Sequence, residues 1–343
     1  KEVKMRTMKL ISHFLMLPIL LQTQVFRVSS MPLRREQISS SGSGLIRHEV
    51  IADDGQKLRV YSRSDQVVSS AKRPKRTVLL LHGRTWSSLP VYDLTLDGEE
   101  DETTSSSLLK TLAARGIDAY ALDFRGFGET TCDSSGFCTP KRCVEDVHAA
   151  MRWLQGRISE GSEEETAEKP ALLGWSQGAL VAMDYAQCHG SDMVSDLVLF
   201  GTIYDPKVVY PRASLYDPPL QPEPVINDLA GALYDFTLPG SISDAAAQMF
   251  GQMALESDPI KAQWANLHEF NDCSPAKVCV PTMLIVGDQD PYASKEGHEM
   301  MFQQLGSSEK VWHVLPNSDH AAHLLRSRSL FVNAFEGFVR RRE

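Results

Sequence analysis

Gly174-Trp175-Ser176-Gln177-Gly178 sets a serine between two glycines directly after the apolar run Ala171-Leu172-Leu173. A strand that delivers a residue into so sharp a turn holds it in a strained backbone conformation, and glycines two positions to either side remove the side chains that would collide there. The hydroxyl is left exposed, as in a nucleophile elbow. Ala179, Leu180, Val181, Met183 and Ala186 then follow at spacings that fit a helix with a wide apolar face over residues 177–189. Ser176 is thereby placed at a helix N-terminus, where developing negative charge is favoured.

Three further segments fall where such a turn needs them. Thr77-Val78-Leu79-Leu80-Leu81 reads as a strand buried on both faces, ending in His82-Gly83-Arg84. An attacked carbonyl becomes an oxyanion, and the backbone amides of Gln177 and Arg84 are placed to meet it, with Gly83 letting the loop approach closely. His82 is read as packing or hydrogen-bonding within that loop. Pro281-Thr282-Met283-Leu284-Ile285-Val286-Gly287 is a second buried strand, running into Asp288-Gln289-Asp290-Pro291. A carboxylate there can orient a base. Asp290 is better placed than Asp288, because it lies beyond the turn that Gly287 opens and Pro291 fixes the chain after it. The strand Lys310-Val311-Trp312-His313-Val314-Leu315 leads into Asn317-Ser318-Asp319-His320. His320 is the candidate general base, taking the proton from Ser176 and returning it to the leaving group. His313 and His323 read as structural, and a metal pair of His320 with His323 lacks a third ligand nearby.

Ser176, Asp290 and His320 follow in the chain order nucleophile, acid, base, each at a strand end, and on these residues the chain resembles the α/β-hydrolase superfamily. The resemblance extends over residues 45–338. It includes Asp123-Phe124-Arg125-Gly126-Phe127-Gly128, similar to a turn that is structural in that family. It implies a mostly parallel central sheet with helices on both faces. A serine nucleophile disfavours the epoxide-opening and dehalogenating chemistries of relatives that use aspartate there.

The alternation of strands and helices along the chain points to the same fold class, with active residues in loops at the carboxyl ends of the strands. Residues 45–62 read as a hairpin about Asp53-Asp54-Gly55, residues 108–115 and 144–154 as helices, and residues 117–122 and 196–202 as strands. Residues 86–107 and 160–169, acidic and polar, read as solvated loops. Between residues 204 and 277 the rhythm stops. That length is too great for a structureless connection, and a helical pattern at 245–255 supports an inserted cap. Its prolines stiffen it, and Tyr204, Tyr210, Tyr216, Tyr234, Phe236, Phe250 and Trp264 supply apolar surface for packing and for a substrate pocket. The expected division is a tail at 1–44, a core at 45–203 with 278–343, and a cap at 204–277.

Composition bounds the partners. A formal charge of −9 over 343 residues argues against nucleic acid or an anionic membrane surface, and no apolar stretch is long enough for a stable membrane span. Six cysteines do not make a disulfide-dependent scaffold in a chain of this length. Cys132 and Cys138 flank a short loop, as do Cys273 and Cys279 at the same interval, with Cys143 nearby; in an oxidising compartment both loops could be bridged. Lys4, Arg6 and Lys9 precede an apolar run at 10–21, with small residues at Val28-Ser29-Ser30, as in a secretory signal. His13, Pro18 and Arg27 fit that pattern poorly, and a start at Met31 would remove it. Secretion, an organelle transit sequence and the cytosol all stay open.

The expected activity is cofactor-free hydrolysis of a small-molecule carboxylic ester through an acyl-enzyme, with thioester or amide as lesser possibilities and an apolar acyl or alkyl portion suggested by the cap. Acyl transfer to an acceptor other than water, peroxidation, carbon-carbon cleavage, and a ligand-binding role without turnover are the competing expectations. The oligomeric state is not readable.

Overall fold

The structure, a computed structural model, describes residues 44–63, 76–99, 105–160, 169–212 and 223–343. Strands β1 (Leu45–Ile51) and β2 (Lys57–Arg63) form an antiparallel hairpin whose turn places Gly55 at φ 84°. Six strands follow: β3 (Arg76–Leu81), β4 (Ile117–Asp123), β5 (Ala171–Trp175), β6 (Leu197–Phe200), β7 (Thr282–Gly287) and β8 (Lys310–Leu315). They join one eight-stranded sheet in the order β1-β2-β4-β3-β5-β6-β7-β8. The hairpin runs antiparallel and every pair from β4 onward is parallel.

The apolar runs expected to be buried on both faces are so, and alternate residues enter separate cores because side chains on a strand point to opposite faces. Leu79, Leu81, Leu172, Leu197, Leu199 and Leu284 face one core. Val78, Leu80, Leu173, Val198, Phe200 and Ile285 face the other. The helices in chain order are α1 (Ser88–Tyr92), α2 (Leu108–Ala114), α3 (Pro140–Glu160), α4 (Gln177–Met193), α5 (Leu229–Leu233), α6 (Asp244–Ser257), α7 (Lys295–Gln304) and α8 (Arg328–Val339). The first core is closed by α3 and α4 through Val147, Met151, Leu154 and Met183, the second by α2 and α8 through Leu109, Leu112, Phe331 and Phe335. This is the α/β-hydrolase fold.

Several elements depart from the sequence reading. Helix α3 is longer than expected, opening at Pro140, whose missing N–H costs nothing in a first helical turn. The segment from Trp86 is not a solvated loop. Trp86, Val91, Tyr92 and Leu94 are buried. Tyr92 Oη donates to Leu81 O at 2.7 Å, and Asp93 forms a buried pair with Arg63 at 2.7 Å. Its apolar side chains outweigh the acidic run that follows, part of which, with residues 161–168, lies outside the described residues. Residues 1–43, to which the signal-like tail belongs, also lie outside them. The six cysteines are unbridged, and Cys138 Sγ lies 3.2 Å from Cys143 Sγ.

The segment between β6 and β7 carries α5, α6 and two 3₁₀ turns, Leu267–Asp272 and Pro275–Lys277. Buried carboxylates bind it to loops at the carboxyl ends of the strands. Asp258 accepts from Ser87 N and Gly128 N, both at 2.8 Å. Asp319 accepts from Thr237 N at 2.8 Å and Leu238 N at 3.1 Å. Between α5 and α6, Phe236 packs edge-to-face on Phe250 of α6 at 5.1 Å. Replacing Asp258 by Ala strands two amide donors, and we expect a loss of about 2–4 kcal/mol in urea unfolding, with the circular-dichroism spectrum of the folded state retained.

Candidate active site

Ser176 holds φ 57° and ψ −120°. Among the described residues only Ser176, Asn266 and Asn317 have positive φ without being glycine, and asparagine tolerates that region better than serine does. The reason for the flanking glycines is steric. A Cβ at Gly174 would lie 2.3 Å from Gly178 O, and one at Gly178 would lie 2.3 Å from His82 O. The strain is held by the hydrogen bond from Ser176 N to Phe200 O at 2.9 Å and by Ala179 N to Ser176 O at 3.1 Å, which locks the first turn of α4.

The loop after β3 closes on this turn. A Cβ at Gly83 would crowd Ser176 Cβ at 3.2 Å, so a bare backbone eases the approach of this loop to the serine. Arg84 is fixed from two sides: Trp264 Nε1 donates to its carbonyl at 2.9 Å, and its own Nη1 donates to Gln177 Oε1 at 3.1 Å. Gln177 opens α4, so its backbone N–H is among those a helix leaves without an internal acceptor. His82 packs as expected. Its Nδ1 donates to Gly83 O at 2.9 Å, its Nε2 accepts from Phe124 N at 3.2 Å, and burial pushes its pKa down to about 4, so the ring is neutral.

Asp290 and His320 are brought together, with Asp290 Oδ2 2.9 Å from His320 Nδ1. The other oxygen, Oδ1, accepts from Tyr292 N at 2.9 Å and Ala293 N at 3.1 Å, which fixes the carboxylate plane. Asp288 instead accepts from Ser318 N at 3.1 Å and ties the two loops to each other. His320 is enclosed by the Trp175 ring at 5.3 Å and the Tyr292 ring at 4.9 Å, and its carbonyl accepts from Trp175 Nε1 at 2.8 Å. That last bond joins the histidine's loop to the residue before Ser176. Among the described residues the Ser176 hydroxyl makes no hydrogen bond to His320. Free enzymes often complete this contact only once substrate is bound.

Burial alone would lower the pKa of His320, but the Asp290 carboxylate, its hydrogen bond, and the charges of Asp235 and Asp319 outweigh it and raise the pKa above 6.5. Asp235, Asp319, Trp175, Tyr292 and Gly201 were not singled out in the sequence. Gly201 permits the pair its position, since a Cβ there would sit 3.2 Å from both Asp290 Oδ2 and His320 Nδ1. Asp319 stands directly before the candidate base and Trp175 directly before the serine, which was a signal; the distant Asp235 offered none. His323 is a core residue, bonded to Val91 O at 3.1 Å and held neutral by burial at a pKa of about 3. His313 is exposed on β8.

The sequence pattern of the alpha/beta hydrolase family matches residues 78–334. No match is found among curated proteins. Solved structures share the fold at low identity. A thermophilic esterase from Thermogutta terrifontis aligns with a TM-score of 0.57 and 18% identity over 86% of this chain and 98% of that one. An esterase from Exiguobacterium antarcticum aligns with a TM-score of 0.54 and 17% identity over 86% and 100%. A serine hydrolase involved in carbazole degradation, the CarC enzyme, aligns with a TM-score of 0.56 and 18% identity over 87% and 100%. Among the described residues no helix is long and apolar enough to cross a membrane. With the family pattern spanning most of the chain and the sheet in the order described, this chain belongs to the alpha/beta hydrolase family.

Proposed function

We propose that the protein is a cofactor-free serine hydrolase that cleaves a small-molecule carboxylic ester through an acyl-enzyme. The observation that carries this reading is a serine in a strained turn at a helix N-terminus, on the loop next to a buried histidine-aspartate pair. Ser176 Oγ attacks the carbonyl carbon while His320 Nε2 takes its proton. Asp290 on Nδ1 keeps the ring in the tautomer that leaves Nε2 able to accept. The carbonyl oxygen, now negative, is met by the backbone N–H groups of Gln177 and Arg84, fixed before substrate arrives and therefore needing no reorganisation. Collapse of the tetrahedral species breaks the bond to the alcohol, which leaves with the proton from His320. Water, activated by the same imidazole, then attacks the acyl-serine and restores the enzyme.

The segment at 204–277 acts in this reading as a cap. Asp258 and Asp319 clamp it to loops beside the reacting groups, and Trp264 braces the Arg84 carbonyl. The esterases that share the fold are compatible with this activity, but it is the arrangement around Ser176 that supports it here.

A fluorophosphonate probe should label the protein at Ser176 and leave Ser176→Ala unlabelled; absence of labelling in both would sink the proposal. For hydrolysis of p-nitrophenyl esters, Asp290→Asn should lower kcat by roughly 10³–10⁴ by leaving the imidazole in the wrong tautomer. The acid limb of kcat/KM against pH should have its midpoint above 6.5, because His320 must lose its proton to act as a base and its pKa is raised. In Asp290→Asn the residual activity should show that limb at lower pH, since removing the carboxylate removes the largest of the influences that hold the proton on; an unmoved limb would assign the titration to another group.

A further inference from the structure

Arg84 carries a charge that the reaction above leaves unused. Two buried guanidiniums of this protein are neutralised, Arg125 between Asp146, Asp54 and Asp133 and Arg63 by Asp93, whereas Arg84 is half-buried. Arg84 is different. Its Nη1 bonds to a neutral amide oxygen, Gln177 Oε1, and among the described residues no carboxylate lies within ion-pair distance of it. Burial without a counter-charge is unfavourable, and it lowers the pKa of this arginine. Lys261 stands close enough that burial and the charge of Arg84 together lower its pKa too, with Asp228 acting the other way. Lys261 therefore adds a second positive charge in the neighbourhood of Arg84.

The neighbouring amide is also unsatisfied. Because arginine can only donate, Gln177 must present Oε1 to it, which fixes the flip of the side chain. Gln177 Nε2 is then buried, in a residue 1% exposed, with no hydrogen-bond partner. Stranding such a donor is unfavourable. A guanidinium without a carboxylate is thus bonded to a side chain whose own N–H lacks an acceptor, and that side chain belongs to the residue after Ser176. Both lack the same thing, an anionic oxygen, and a planar guanidinium suits carboxylate or phosphate.

We propose that Arg84 and Gln177, with Lys261 contributing to the field, form an anion subsite, and that the substrate is an ester bearing a second, negatively charged group, carboxylate or phosphate, near the scissile carbonyl. As a statement about substrate this rests on the reading of Ser176 as nucleophile, whereas the anion binding itself does not. The test is therefore a binding measurement on Ser176→Ala, titrated calorimetrically with monomethyl glutarate, methyl 3-phosphonopropionate and the neutral dimethyl glutarate. At least one anionic probe should bind roughly tenfold or more tightly than the neutral diester, and which one does so separates carboxylate from phosphate. Adding Arg84→Leu should abolish that preference, and adding Lys261→Met, a change outside the oxyanion loop, should weaken the anionic probe several-fold and leave the neutral one unaffected. Equal affinity of the three probes, no binding by any, or a preference that survives both substitutions would overturn the subsite. Anion preference in a protein that fluorophosphonate fails to label would keep the subsite and discard the hydrolase.

Discussion

The site depends on one strained backbone position. Ser176 sits at φ 57°, where a side chain is uncomfortable, and it stays there because the surrounding structure leaves it no alternative. Its amide is taken by Phe200 of β6 and its carbonyl by the first turn of α4, while Gly174 and Gly178 are too tightly packed to admit any side chain. The same close packing brings Gly83 against the serine. The two amides proposed to meet an oxyanion therefore owe their positions to one steric arrangement at the ends of β3 and β5.

Around His320 the controlling effect is charge. A fully buried imidazole would ordinarily be neutral, as His82 and His323 are, both held far below their usual pKa by burial. His320 is equally enclosed yet shifts the other way, because Asp290 touches it and Asp235 and Asp319 add their fields. One of these, Asp319, also accepts two amides of the segment between β6 and β7, and Asp235 belongs to that segment. The electrostatics of His320 and the seating of the segment between β6 and β7 are thus coupled through the same carboxylate. Arg84 gives the opposite case, a positive group with no carboxylate in ion-pair distance among the described residues, and the proposed anion subsite rests on that contrast.

The sheet was legible because its signals are local. Runs such as Thr77 to Leu81 and Pro281 to Gly287 are short, rich in β-branched and leucine side chains and without polar interruption, as suits a strand covered on both faces, and a glycine at or just after each end marks where a loop begins. The serine was legible for the same reason, since the glycines that permit its turn are its neighbours. The segment from Trp86 was misread because acidic residues after it suggested solvent, whereas Tyr92 and Asp93 find partners in Leu81 and Arg63 that are not near in sequence. For the cysteines, equal spacing draws attention to Cys132 with Cys138, whereas the first turn of α3 brings Cys143 onto Cys138.

The chain by itself determined the class of fold, the serine and its turn, and a short choice of partners, because periodicity, glycine placement and strand ends are properties of adjacent residues. Tertiary structure alone decided that Gly201 makes room for the Asp290 and His320 pair, that Asp235 and Asp319 raise the histidine's pKa, and that Arg84 has no carboxylate within ion-pair distance among the described residues. Electrostatic energy depends on distance and burial, and both are set by residues far apart along the chain.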